Sequence, residues 1–92
     1  MESIIQNKND KECYVCKTTL CLHKHHIFGA SNRKHSERYG LVVYLCGYHH
    51  NLSDEGVHFR KDLDLHLKQL AQTRFEETYT ESFIKVFGKN YK

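Results

Sequence analysis

Length, composition and charge already restrict what this chain can be. Its 92 residues suit one small domain with a thin core. The 14 lysines and arginines against 11 acidic residues give a formal charge of +3, which fits a nucleic-acid partner without requiring one. No apolar run is long enough for a signal peptide or a membrane span, so we expect a cytoplasmic protein with reduced cysteines. The eight histidines and four cysteines favour metal binding as a staple for the core.

The first half of the chain has the pattern of a short hairpin. Residues 1–12 are polar and are expected to form a loosely ordered, flexible lead-in. A β-compatible run predicts a strand at about 22–28, and the polar, glycine-bounded segment 29–40 predicts a loop with room for one helical turn. The continuous apolar run at 41–45 predicts the partner strand, so the hairpin has a long connection.

The second half has a helical pattern. Residues 46–52 read as a turn entering a helix. A helix from about 61 to 77 is predicted by apolar residues at helical spacing, namely Leu63, Leu67, Leu70, Ala71 and Phe75. The segment Thr78–Glu81 matches a capping box and predicts a second short helix with Phe83, Ile84 and Phe87, ending near Gly88. We expect the apolar faces of both helices to belong to the core.

Two metal-ligand pairs with matching spacing stand thirty-odd residues apart in the chain. Cys13-x-x-Cys16 offers two thiolates on one tight turn, and Cys46-x-x-His49 offers a thiolate and an imidazole. Together they can complete a closed tetrahedral zinc site, which would cross-link the two ends of the hairpin. Cys21 is the spare thiol and is expected to be a small core residue on the first strand.

A second group of histidines is left over from that site. His50 follows His49 directly and points elsewhere around the helix, while His25 and His26 lie on the first strand. Two imidazoles can hold a divalent ion with open positions, and a third can accept a proton from an attacking water. Because successive strand residues point in opposite directions, we expect His25 and His26 to divide these roles. His23 is expected to be an ordinary exposed or packed histidine.

The stretches HKHHI, LVVYLC and CGYHHN, after a CxxC pair, resemble the zinc-stapled branch of the HNH endonucleases, particularly short proteins of phages and mobile elements. The resemblance covers residues 13–58 and implies an α+β domain with a ββα-metal (His-Me finger) core, to which residues 59–92 add a helical extension. It implies that His25 and His50 bind the catalytic ion (Mg²⁺, Mn²⁺ or another divalent ion) and that His26 is the general base. The zinc ligands it implies are Cys13, Cys16, Cys46 and His49, the last at a place where cysteine is commoner.

The chain departs from the family at one position. Many members carry an asparagine five or six residues before the second zinc-ligand pair, where it orients the base histidine, but Gly40 and Leu41 occupy those places here. Asn32, Tyr39 or a backbone group are the alternatives for that task.

A third ligand for the catalytic ion has two candidates. His58 lies eight residues after His50, and some HNH proteins recruit an imidazole from just past the helix. Asp54, four residues after His50, would lie on the same helical face. We prefer His58.

The predicted function is metal-dependent hydrolysis of DNA phosphodiester bonds with low sequence specificity, by nicking or cleavage. Basic side chains on or beside the hairpin loop could grip the phosphate backbone, namely Lys24, Arg33, Lys34 and Arg38. Cutting both strands would need a homodimer or a larger DNA-processing partner. The alternatives are a non-catalytic zinc-binding module that binds nucleic acid or adapts a partner, and a regulator that acts through protein contacts.

Overall fold

The computed structural model describes residues 3–6, 11–50 and 56–92. In these ranges the chain forms the strands β1 (Leu22–His26) and β2 (Val42–Cys46), a 3-10 turn at Ala30–Asn32, and four helices: α1 (Arg33–Tyr39), α2 (Gly47–His50), α3 (Lys61–Thr78) and α4 (Phe83–Phe87). The mixed helix-and-sheet architecture predicted from the sequence is confirmed.

The two strands form an antiparallel sheet, as the hairpin pattern predicted. The register pairs Leu22 with Cys46 at one end and His26 with Val42 at the other. β1 ends two residues before the predicted boundary because Phe28 turns away from the sheet. Its N–H donates to Ser36 Oγ at 3.0 Å, and its carbonyl accepts from the same hydroxyl at 2.8 Å.

The connection between the strands contains a helix rather than a loop with a single helical turn. α1 is polar over most of its surface and buries only Ser36 and Tyr39, so its sequence shows little helical periodicity. It ends at Gly40, which adopts a left-handed conformation with φ of 74° and donates its N–H to the Ser36 carbonyl. This helix lies alongside β1 and becomes one wall of the cleft described below.

The C-terminal helices supply much of the core, as predicted. α3 buries Leu67, Ala71 and Phe75 completely, and α4 buries Phe83 and Phe87. Ile84, which we placed on the apolar face of the second helix, is instead 52% exposed. The capping-box prediction is also wrong, because Thr78 ends α3 and Ser82 caps α4 by accepting from the Lys85 N–H. Gly88 ends α4 in the left-handed region, as expected.

An aromatic cluster joins the hairpin to the helices. The Phe28 ring, just after β1, lies 4.6 Å from the Phe87 ring and 5.4 Å from the Phe83 ring, measured between centroids. Tyr39 of α1 packs against Phe75 of α3 at 5.1 Å. Strands and helices therefore share one core. In the described part of the chain, no helix is both long enough and apolar enough to cross a membrane.

The outer edge of β2 is covered by the segment that precedes the first strand. Tyr14 donates its N–H to the Tyr44 carbonyl at 2.8 Å, and Tyr44 donates its own N–H to Gln6 Oε1 at 2.6 Å. Ser3 Oγ donates to the Val42 carbonyl. Residues 3–6 of the predicted lead-in thus contact the sheet, while the rest of residues 1–10 lie outside the described ranges.

Candidate metal centres

The predicted thiolate site is assembled at one end of the hairpin. The donor atoms of Cys13, Cys16, Cys46 and His49 all lie within 4.8 Å of one another. Cys16 Sγ is 3.7 Å from Cys46 Sγ, and His49 Nδ1 is 3.8 Å from Cys13 Sγ and 3.3 Å from Cys46 Sγ. A tetrahedral ion with bonds of about 2.3 Å places its ligands about 3.8 Å apart. These four residues therefore fit, and could hold, a metal ion.

The electrostatics of this site suit a thiolate. Burial acts to raise the pKa of the Cys13 thiol, but the backbone N–H groups of Cys16, Cys46 and Val15 donate to the sulfur and bring its pKa down to about 6. Burial and the neighbouring thiols raise the pKa of Cys46. A cation bound between the sulfurs would offset the repulsion between neighbouring thiolates. Cys21 is exposed and lies before β1 rather than on it, so its predicted place in the core is wrong.

A second donor cluster is formed by His25, His50 and His58, one donor nitrogen of each lying within 4.8 Å of the others. His50 Nε2 and His58 Nε2 are 3.1 Å apart. The His25 ring centroid lies 5.4 Å from that of His50 and 5.6 Å from that of His58. Three imidazoles from β1, α2 and the turn before α3 thus converge on one point.

The surroundings of His25 indicate whether an ion fits the histidine cluster. His25 is only 6% exposed, and its Nε2 has no hydrogen-bond partner in the described part of the chain. Leaving a buried polar nitrogen unpaired costs roughly 1–3 kcal/mol, which a coordinated cation would recover. Burial, followed by the charges that His50 and His58 can carry, lowers the pKa of His25 to about 3. Its imidazole is therefore neutral at physiological pH, the form that binds metals.

Backbone hydrogen bonds between α2 and the turn before α3 position His58. Val57 donates its N–H to the His49 carbonyl at 2.8 Å, and His58 donates to the His50 carbonyl at 3.4 Å. The turn that leads into α3 is thereby fixed against α2, and His58 stands beside His50. Asp54, the weaker alternative from the sequence, lies outside the described residues.

His23 has a place at this centre that the sequence did not suggest. Its Nδ1 lies 2.9 Å from Nδ1 of His50, with the two rings edge to face. Both nitrogens of His50 therefore have a neighbour, His23 on one side and His58 on the other. Burial first, then His58 and His23, lowers the pKa of His50. The signal in the sequence was the alternation of β1, which puts His23 and His25 on one face.

His26 points to the other side of β1, toward α1. Its Nε2 lies 2.8 Å from Oε2 of Glu37, and the other oxygen of Glu37 accepts from Lys24 Nζ at 2.8 Å. Asn32 and Tyr39, two candidates for orienting His26, are directed elsewhere: the Asn32 amide donates to the Phe87 carbonyl, and the Tyr39 hydroxyl donates to Glu81. Glu37, which the sequence reading did not single out, contacts the predicted base instead.

Two adjoining clefts connect these groups. An open groove of about 750 Å³ lies between β1 and α1, lined by Lys24, His26, Ala30, Ser31, Arg33, Lys34 and Glu37. It shares Lys24, His26, Ala30 and Arg33 with a cavity of about 300 Å³ whose lining includes His25, His50 and His58. Three of the four basic residues predicted to contact nucleic acid therefore line the approach to the histidine cluster. Arg38 lines neither cleft, and its guanidinium lies over the Tyr39 ring.

Comparisons of this chain with protein-family models, with curated proteins and with solved structures found no match. The resemblance to HNH endonucleases therefore stays a prediction from the sequence motifs.

Proposed function

We propose that this protein is a metal-dependent endonuclease of the HNH type that hydrolyses phosphodiester bonds of DNA. The observation that carries the proposal is the unpartnered, buried Nε2 of His25 beside the donor nitrogens of His50 and His58. His26 lines the same cavity from the neighbouring position on β1. The strands β1 and β2 with α2 would then form the ββα-metal unit.

The donor chemistry suggests which ion each cluster prefers. Three thiolates and an imidazole are typical of structural zinc, so we assign Zn²⁺ to the cluster of Cys13, Cys16, Cys46 and His49. Three imidazoles suit Zn²⁺, Ni²⁺ or another transition ion better than Mg²⁺, which prefers oxygen ligands. When bound at the histidine cluster, a divalent ion would supply Lewis acidity to a phosphodiester oxygen and stabilise the charge that develops on it.

The proposed base is His26. It is half-buried, it belongs to neither donor cluster, and it lines both the cavity of the histidine cluster and the basic groove. In this position it can accept the proton of a water that attacks the phosphorus, a contribution usually worth about 10²- to 10⁴-fold in rate. His25 and His26 would then divide the tasks of ligand and base because their side chains leave opposite faces of β1.

The substrate assignment is supported by charge. Lys24, Arg33 and Lys34 line the groove that leads to His26, where they can pair with successive phosphates of a nucleic-acid backbone. Such contacts position a strand without reading its bases, so low sequence specificity is expected. One catalytic cluster cuts one strand at a time, and a double-strand break would require a second copy of the chain or a larger partner.

The decisive experiment is cleavage of supercoiled plasmid by the purified protein with Zn²⁺, Ni²⁺, Co²⁺, Mn²⁺ or Mg²⁺ added in turn. Wild type should convert the plasmid to the nicked form, and His26→Ala should lose about 10²- to 10⁴-fold in rate while keeping its metal. His66→Ala is the matched control, since His66 is exposed on α3 and belongs to neither cluster.

The same assay separates the nuclease from the alternative of a non-catalytic module. If no divalent ion supports cleavage while a gel-shift assay shows DNA binding, the nuclease proposal is wrong and the binding module takes its place. Parallel reactions with single-stranded DNA and with RNA identify the preferred nucleic acid.

A further inference from the structure

We propose that Glu37 is the positioning residue of this site: it holds His26 in the tautomer whose Nδ1 accepts the proton from water. The inference rests on the proposed function and deepens it, since it assigns the task for which the expected asparagine is missing. It also specifies which nitrogen of His26 faces the substrate, something that the motif alone does not determine.

The tautomer follows from the chemistry of the contact. His26 Nε2 and Glu37 Oε2 are 2.8 Å apart, so one of them must donate. An ionised carboxylate can only accept. The hydrogen bond from the Lys24 ammonium, the largest cause, lowers the pKa of Glu37, so this carboxyl is ionised at neutral pH. In the neutral form of the His26 ring, the proton therefore resides on Nε2 and the lone pair on Nδ1.

The two-residue period of β1 explains why one carboxylate can serve both neighbours. Lys24 and His26 leave the same face of the strand, and Glu37 reaches them from α1 with one oxygen for each. The side chain of His25, between them, leaves the other face toward His50 and His58. The Glu37 carboxylate thus bridges the Lys24 ammonium and the His26 ring, and its hydrogen bond with Nε2 restricts rotation of that ring.

A competing reading gives Glu37 the opposite effect. A carboxylate between a lysine and a histidine occupies a place where a substrate phosphate would also bind, so Glu37 could obstruct the groove. The positioning role predicts that removal of its charge lowers the turnover number. Obstruction predicts that the same change raises activity, so one substitution separates the two.

The variant is Glu37→Gln, which keeps the shape of the side chain and removes its charge. With a fluorescent DNA duplex as substrate, kcat should fall about 10- to 1,000-fold, less than the loss in His26→Ala, while KM changes little. The double variant Glu37→Gln with His26→Ala should be no slower than His26→Ala alone, because both substitutions remove the same function. Glu77→Gln, on the exposed surface of α3, is the control for loss of one negative charge.

A second readout does not depend on cleavage. Long-range ¹H–¹⁵N correlation spectra report which ring nitrogen of a histidine carries the proton. His26 should be the Nε2–H form in wild type and a mixture of tautomers in Glu37→Gln. If wild type does not cleave DNA, the proposed function fails, yet the spectra still decide the role of Glu37. An unchanged tautomer, an unchanged kcat or a gain in activity in Glu37→Gln each overturns the proposal.

Discussion

The Nε2 atoms of His50 and His58 lie 3.1 Å apart, and Nδ1 of the same His50 ring lies 2.9 Å from His23. Two imidazole nitrogens at such a distance need either a proton or a cation between them. For His50 to bind a cation through Nε2, its Nδ1 must carry the proton and donate it to His23. His50 is thus the central member of the cluster, with His58 on one side and His23 on the other.

Loss of His58 should weaken metal binding at the histidine cluster without unfolding the chain. In His58→Ala we expect the affinity for Zn²⁺ or Ni²⁺ at this cluster to fall more than about 100-fold, because even an outer hydrogen-bond partner is worth about 10- to 100-fold. Isothermal titration of protein already loaded at the thiolate cluster measures the change. An affinity equal to that of His66→Ala would exclude His58 as a ligand.

Loss of His23 should lower the metal affinity of the same cluster by a smaller factor. His23→Phe keeps a ring of similar size but removes the nitrogen that lies 2.9 Å from His50. We expect the affinity to fall about 10- to 100-fold, as is usual for the partner of a metal-bound histidine. The same titration applies, and an unchanged affinity would show that His23 only packs against His50.

Loss of a thiolate ligand should affect folding rather than catalysis alone. A structural zinc contributes about 10–16 kcal/mol of apparent binding free energy in small zinc domains, so Cys13→Ser should lose its tightly held ion and most of its cooperative thermal unfolding transition. Elemental analysis and differential scanning calorimetry measure the two effects. Cys21→Ser is the control, since Cys21 is exposed and outside the cluster. Zinc retained in Cys13→Ser would contradict the assignment.

The buried His25 predicts how stability depends on pH. Its pKa falls from 6.5 to about 3 in the folded chain, chiefly through burial, so the unfolded chain binds this proton more readily. The free energy of unfolding should therefore decrease as the pH falls from about 6.5 toward about 3, by at most about 1.4 kcal/mol per pH unit from this group. In His25→Leu, which lacks this titratable imidazole, the free energy of unfolding measured with urea should depend less steeply on pH. Parallel curves for the two proteins would contradict the prediction.

The groove predicts a graded salt dependence of DNA binding. If Lys34 neutralises one phosphate, Lys34→Ala should reduce the slope of log K against log salt by about 0.9. Arg33→Ala should act alike, whereas Arg38→Ala should change the slope little because Arg38 lies over Tyr39 and lines neither cleft. Fluorescence anisotropy at several salt concentrations measures the slopes. A larger effect from Arg38→Ala would place the DNA on another surface.

The features predicted well from the sequence depend on short-range spacing. The pairs Cys13-x-x-Cys16 and Cys46-x-x-His49 and the continuous apolar run of β2 each carry their signal within a few residues. The structure then brings the two pairs together because the antiparallel register places Leu22 opposite Cys46, at the same end of the hairpin. Local chemistry and one strand pairing were sufficient for this part of the site.

The features that were missed depend on how a polar segment packs. α1 buries only Ser36 and Tyr39, so the hydrophobic pattern gave no reason to expect a helix that carries Glu37 back to β1. His23 was judged by itself, although its contact is made by His50, which is twenty-seven residues away in the chain. The alternation of β1 places His23 on the same face as His25, but its contact with His50 depends on where α2 lies, just as the contact of His26 with Glu37 depends on where α1 lies.

The covered edge of β2 has a consequence for how copies of this chain can associate. An unprotected strand edge is a template for pairing with another chain, but here Gln6 and Tyr14 already bond the outward N–H and carbonyl of Tyr44. Extension of the sheet from one molecule to the next is therefore closed along this side. Removal of residues 3–6 would expose backbone groups of β2 that are suited to cross-strand aggregation, so variants of this chain should keep that segment.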